Sequence, residues 1–151
     1  MKNSLECGFS GPLAAHRLTG DGPTIAVDIG FDPTWRAGQT PRPPKAADRD
    51  VPALIDTGAT ECFIDSDLAT HLRLPVVNRR ELAGSLGRHE VDVYLAQIFI
   101  PPLLFTQHGG FAGAHLKRGG MPYQVLMGRT FLAHFTLVYA GKSGRVTLTL
   151  A

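Results

Sequence analysis

Residues Val51 to Asp65 read VPALIDTGATECFID. An apolar run (Val51, Ala53, Leu54, Ile55) leads into Asp56-Thr57-Gly58-Ala59, and a second short run (Cys62, Phe63, Ile64) follows. This pattern predicts a strand, a tight polar turn and another strand. A carboxylate at such a turn stands at a strand end, where its side chain can face a cleft while the backbone stays fixed. Thr57 offers a β-branched hydroxyl that can bond across the turn. Gly58 has no Cβ and so lets another backbone or a substrate approach closely. One carboxylate alone does little chemistry.

Around this stretch lies one domain's worth of chain. Its 151 residues are 44% hydrophobic and 19% charged, the balance of a globular protein with a core rather than a disordered one. The formal net charge is only +2, and the basic residues are dispersed, with Arg79-Arg80 and Lys117-Arg118 the densest pairs. A nucleic-acid partner is therefore not expected. Two cysteines, Cys7 and Cys62, are too few for a disulfide framework, and Cys62 reads as a small buried hydrophobe. No apolar run approaches the roughly 20 residues of a membrane span. The first residues, MKNSLECGFSGPLAAHRL, carry Glu6, His16 and Arg17 and do not read as a signal peptide, so a cytoplasmic location is expected.

In chain order, residues 1–23 are weakly patterned and suggest an extended N-terminal arm ahead of a domain spanning 24–151. Thr24 to Ile29 is a first strand with Ile25, Val27 and Ile29 on one face. Residues 31–50 hold Pro33, Pro41, Pro43 and Pro44 and read as a long loop with Trp35 in it. After the central stretch, Asp65 or Ser66 caps a short helix that has Leu68 and Leu72 at i, i+4, Asp67 in its first turn and Pro75 beyond its end. Residues 81–100 read as a hairpin with its tip at Gly84-Ser85-Leu86-Gly87 and an alternating second arm. Residues 106–122 contain five glycines between Gln107 and Gly120 and read as a second long loop. A strand at 123–127, a short helix at 129–135 and a hairpin turning at Gly141 to Gly144 complete the chain.

The Asp-Thr-Gly-Ala turn after a hydrophobic strand resembles the active-site loop of aspartic proteases. With a single copy in a chain this short, it resembles the retropepsin-like (retroviral-type) branch, as a single-domain member of bacterial type. A second motif agrees: VLMGRTFL places an apolar strand ahead of Gly128-Arg129, about 70 residues after Asp56, where the family carries Gly-Arg-Asp/Asn-apolar-Leu. Thr130 departs from the family's Asp or Asn, and Thr60 stands where retroviral members often carry an Asp.

The resemblance covers roughly residues 24–150. It implies an all-β, closed retropepsin-like barrel (the acid protease fold) with one or two short helices and half a catalytic site per chain. Asp56 is then the catalytic residue, and Thr57, Gly58 and Ala59 complete the active-site loop. Gly84, Ser85, Leu86 and Gly87 form a flap over substrate. Gly128 and Arg129 form a structural brace, with Arg129 expected to pair with Glu61, with Asp65 or across a dimer.

The chemistry asks for the same assembly. Attack of water on a peptide carbonyl needs a base and an acid. Two carboxylates sharing one proton supply both, because like charges about 3 Å apart cannot both ionise. One Asp-Thr-Gly per chain therefore implies a two-fold homodimer, an aspartic endopeptidase acting on a peptide or protein substrate with no metal or other cofactor. The six histidines form no zinc-binding pattern, and Ser66 and Ser85 lack a serine-nucleophile context. The rival reading is a catalytically silent module of the same fold, kept for dimerisation or peptide binding.

Overall fold

In Thr24–Gly30, Ile25, Val27 and Ile29 are buried and Ala26 is exposed, the period-two pattern of a strand with one face on a core. The same logic recurs along the chain. The computed structural model describes residues 3–84 and 87–151. Their elements, in order, are β1 (Ser4–Glu6), α1 (Ala14–Asp21), β2 (Thr24–Gly30), β3 (Asp48–Ile55), β4 (Phe63–Asp65), α2 (Ser66–His71), β5 (Val76–Gly84) and β6 (Gly87–Ile100). A 3-10 turn at Pro101–Leu103 leads to β7 (Phe105–Ala114), β8 (Val125–Met127), α3 (Arg129–Leu132), β9 (Phe135–Ala140) and β10 (Arg145–Leu150). The chain is mostly β, 47% strand against 14% helix.

Six strands close on themselves in the order β2-β3-β8-β4-β7-β6, with β6 returning to β2 through Asp28↔Phe99, Ile29↔Ile98 and Gly30↔Gln97. The β3–β8 and β4–β7 pairs are parallel and the others antiparallel. Val27, Ile29, Ala53, Ile64, Ile98 and Val125 fill the interior without solvent contact. Closure leaves these strands without free edges. β5 joins the outer part of β6, so that residues 79–84 and 87–92 form a ribbon extending past the barrel wall. A separate sheet, β1-β10-β9, packs alongside, and its Val146 and Leu148 join the same continuous core.

The all-β closed architecture with few helices is as the sequence suggests, but three segments differ. Residues 3–23 are not an extended arm. β1 pairs with β10, the Cys7 amide donates to the Val146 carbonyl at 2.9 Å, and α1 docks so closely that a Cβ on Gly144 would lie 2.2 Å from Ala14. Burial pushes the Cys7 thiol up to about 12 and keeps it protonated. The second difference is in the glycine-rich stretch 106–122, whose first half is strand β7. Gly110 and Gly113 sit where a Cβ would meet Val93 at 2.9 Å and Ser66 and Tyr94 at 3.0 Å, so these glycines serve close packing rather than a loop. Finally, the helix expected over 129–135 is a single turn, because β9 begins at Phe135.

The proline-rich segment is irregular from Phe31 to Ala47, as expected, yet it is tied down. Gln97, buried on β6, grips the backbone of Asp32: its Oε1 accepts from the Asp32 amide at 3.0 Å and its Nε2 donates to the Asp32 carbonyl at 2.9 Å. The Asp32 carboxylate accepts from the amide and hydroxyl of Thr34 and meets Arg42 at 3.4 Å. Trp35 is 8% exposed, donates from Nε1 to the Thr40 carbonyl and stacks at a tilt 6.1 Å from His108.

The Thr34 hydroxyl is the main influence holding the Asp32 carboxyl below its usual range. It acts against the cost of burial, with help from the Thr34 amide, Arg42 and the Lys45 amide. A lowered folded-state value gives stabilisation that is present above the unfolded value of about 3.9 and lost as pH falls through the folded one. Fluorescence of Trp35, the sole tryptophan, should therefore hold its native signature at neutral pH and change only as pH falls below about 3.9 and through the lowered folded value. In Asp32→Asn it should already be altered at neutral pH and should lack this acid transition.

Candidate active site

Asp56 is the residue that follows β3, and its position is fixed through the backbone. The Ile55 amide donates to the Pro23 carbonyl, and the Asp56 amide donates to the Met127 carbonyl at the end of β8, both at 2.9 Å. The chain then turns on a local bond in which the Gly58 amide donates to Asp56 Oδ1 at 2.8 Å. This is an Asx-type turn, which aspartate favours because its short carboxylate reaches the amide two residues on. A Cβ on Gly58 would lie 3.0 Å from that same oxygen, so glycine gives the carboxylate room. Asp56 remains partly exposed, with Thr57 and Gly58 exposed beside it and Ala59 partly buried.

The second motif is built against the first. At Gly128 an added Cβ would fall 2.2 Å from the Glu61 carbonyl oxygen and 2.8 Å from that of Ala59, so only glycine lets the 59–61 backbone lie where it does. The amides of Arg129 and Thr130 open α3 and have no partner within the helix. They donate to the carbonyls of Ala59 at 2.9 Å and Thr60 at 3.0 Å. The Arg129 guanidinium closes the brace, giving one N–H to the Thr57 carbonyl at 2.7 Å and another to Thr60 Oγ1 at 3.0 Å.

The partners expected for Arg129 within the chain are engaged elsewhere. Glu61 pairs with Arg80. Asp65 is buried, caps α2 through the Leu68 amide and accepts from the amides of Leu116 and Lys117 at 3.1 Å each. Asp65 is thus the N-cap that the sequence suggests, and it also anchors the turn after β7. Thr130, in place of an Asp or Asn, leaves its hydroxyl 3.6 Å from Cys62 Sγ.

Beside Asp56 runs an apolar row absent from the sequence reading. Leu54 on β3 is level with Leu126 on β8, which in turn is level with Phe63 on β4. All three are partly buried, while their neighbours Ile55, Met127 and Ile64 point into the core. The alternation of each short strand held this signal, but the register that aligns the three is a tertiary fact. Phe63 also borders a cavity of about 540 Å³ that reaches Leu82, His89 and Val91 on the β5–β6 ribbon.

The flap residues fall on this ribbon. Gly84 and Gly87 face one another where β5 ends and β6 begins, and Ser85 and Leu86 lie outside the described residues. The pairing from Arg79↔Asp92 to Gly84↔Gly87 makes the ribbon a two-stranded arm. Among the described residues no group of three His, Cys, Asp or Glu side chains is placed to hold a metal ion. His108 and His134 lie against aromatic rings, Trp35 and Phe105 respectively.

The chemical inventory of the site is one carboxylate with a fixed backbone, a supporting amide, an apolar row and an arm beside it. No protein-family model matches the chain, and no curated protein matches it.

The brace makes a quantitative prediction. Gly128→Ala must push against backbone rather than a flexible side chain, so its cost should reach or exceed the ~1–3 kcal/mol typical of overpacking. Gly20→Ala, in α1 with nothing within 4 Å of its added Cβ, should be neutral or slightly stabilising by its gain in helix propensity. Denaturant unfolding of the two variants beside the wild type measures the contrast.

Proposed function

We propose that the protein is a retropepsin-like aspartic endopeptidase that works as a homodimer. The observation that carries this reading is the brace: the Asp-Thr-Gly-Ala turn and the Gly-Arg motif, 72 residues apart at Thr57 and Arg129, form a single unit. Gly128 makes room for the loop, the α3 amides bind its carbonyls, and the Arg129 side chain ties its two ends. Such a frame fixes one carboxylate at a strand end, as catalysis by a positioned acid or base requires.

The other half of the chemistry comes from a second chain. Asp56 and its symmetry mate share a proton, so that one carboxylate takes a proton from water while the other gives one to the carbonyl oxygen of the scissile bond. The pair titrates together, with apparent values that belong to neither residue alone. Two features of β9 support an interface. β9 is an outer strand of its sheet and begins three residues after α3, close to the brace. Its Val138 and Tyr139 are 57% and 54% exposed, large apolar side chains of the kind a partner surface covers. An extended peptide running past Asp56 meets Leu54, Leu126 and Phe63, which suits apolar side chains flanking the cleaved bond.

Cleavage of a mixed peptide library from about pH 4 to 7, by wild type and Asp56→Asn in parallel, tests the proposal. Cuts should appear with the wild type and fall by at least about 10²- to 10⁴-fold in the variant, while the variant keeps the same oligomeric state and unfolding midpoint. Equal cutting by both proteins would remove Asp56 from the chemistry. A wild-type dimer that cuts nothing would point to the silent peptide-binding module instead.

A further inference from the structure

Gln97 and Phe99 on β6 are level with His108 and Thr106 on β7, on the face opposite the interior residues Ile98 and Ile100. The proline-rich segment lies over this face. Gln97 holds the backbone of Asp32, and Trp35 rests on His108 with ring centroids 6.1 Å apart. Between segment and strand remains a cavity of about 360 Å³, lined by Trp35, Gly38 and Pro41 from one and by Phe105, Thr106 and His108 from the other. His134 joins the lining beside Phe105, at 5.6 Å between ring centroids. Neither the Asp56 loop nor the Leu54–Leu126–Phe63 row contributes to it among the described residues, so the cavity is distinct from the candidate active site.

The walls are preformed. Trp35 donates from Nε1 to the Thr40 carbonyl at 3.0 Å, which fixes the indole plane. The turn that carries Gly38 is closed twice: the Gln39 amide donates to the Arg36 carbonyl at 3.1 Å, and Gln39 Oε1 accepts from the Arg36 amide at 2.9 Å. A flat guest therefore finds its aromatic surfaces already in place, and little ordering is needed to bind it. Among the described residues the lining holds no lysine, arginine, aspartate or glutamate. A charged guest would lose its hydration there without gaining an ion pair. One polar atom stands out. Thr106 Oγ1 is buried and has no hydrogen-bond partner among the described residues, a costly state that a ligand can relieve.

We propose that this cavity binds a small, uncharged, planar aromatic molecule with a hydrogen-bonding group on its edge. The ring packs between Trp35 and Phe105, and the polar edge pairs with the Thr106 hydroxyl, which can donate or accept. The volume suits one such molecule, standing near the small end of the about 300–1,000 Å³ range of ligand pockets. His108 and Gln107 offer further donors and acceptors beside the hydroxyl. The site owes nothing to Asp56 and stands whether or not the protein cleaves peptides.

Benzamide is a suitable probe, with toluene as the same ring without a polar edge and benzoate as its charged counterpart. Proton–nitrogen NMR of the full chain at about pH 8, where a free imidazole is uncharged, follows the Trp35 indole N–H and the amides of residues 105–108. Benzamide should shift these signals saturably, and toluene and benzoate should bind at least about ten-fold more weakly. Thr106→Val keeps the shape of the side chain and removes the hydroxyl. It should unfold at no lower denaturant concentration than the wild type, because no hydrogen bond is lost, yet bind benzamide about ten-fold more weakly. Asp56→Asn should bind benzamide as the wild type does. The proposal is overturned by the absence of saturable shifts at Trp35 and 105–108, by toluene or benzoate binding as tightly as benzamide, or by unchanged binding in Thr106→Val.

Discussion

Everything at the candidate site depends on the backbone of residues 59–61 lying directly on Gly128. No side chain fits between them, so the loop's carbonyls reach the α3 amides and its turn reaches the Arg129 guanidinium. The contact also sets strand order. β8 enters between β3 and β4, parallel to the first and antiparallel to the second, and the loop that joins β3 to β4 must pass across the end of β8. The aspartate is presented at that crossing, held at its amide by β8 and at its carboxylate by its own turn. Rigid support of this kind gives a partly exposed carboxylate a defined position.

The surrounding segments reinforce the frame. Asp65 caps α2 and anchors the turn after β7 with the same carboxylate, which ties the far end of the central stretch to the strand beside it. Gln97 fastens the proline-rich segment to the barrel through the backbone of Asp32, giving an irregular chain a fixed path. The β1-β10-β9 sheet shares the barrel's core, so the N-terminal residues are structural members of the fold. By contrast, the β5–β6 arm leaves the barrel with few attachments, and mobility is cheapest in such a place.

Much of the site was legible because its signals are local. Asp56-Thr57-Gly58-Ala59 between two apolar runs is a strand-turn-strand pattern within 15 residues, and the Asp65 cap and the alternating arm of β6 are equally short-range. The missed features depend on tertiary context. Glycine content argued for a loop at 106–122, but pairing of β7 with β6 and β4 decides the matter, and Gly110 and Gly113 are tolerated there because neighbouring side chains occupy the space a Cβ would take. Helix α1 is only 8 residues long and has no side-chain cap at its start, and it is held by Gly8 and Gly144, which allow close backbone approach to β10 and α1. The Leu54–Leu126–Phe63 row, the Glu61–Arg80 pair and the true partners of Arg129 need a register or a long-range contact, and no spacing in the chain encodes those.

The central claim is that one active site needs a carboxylate from each of two chains. Mixing wild-type and Asp56→Asn chains under exchanging conditions, at fixed total concentration, tests it most directly. If each site requires both aspartates, activity follows the square of the wild-type fraction, and an equal mixture retains about a quarter of the wild-type rate. Activity proportional to the wild-type fraction, about a half at equal mixing, would mean that one chain suffices and would contradict the shared dyad.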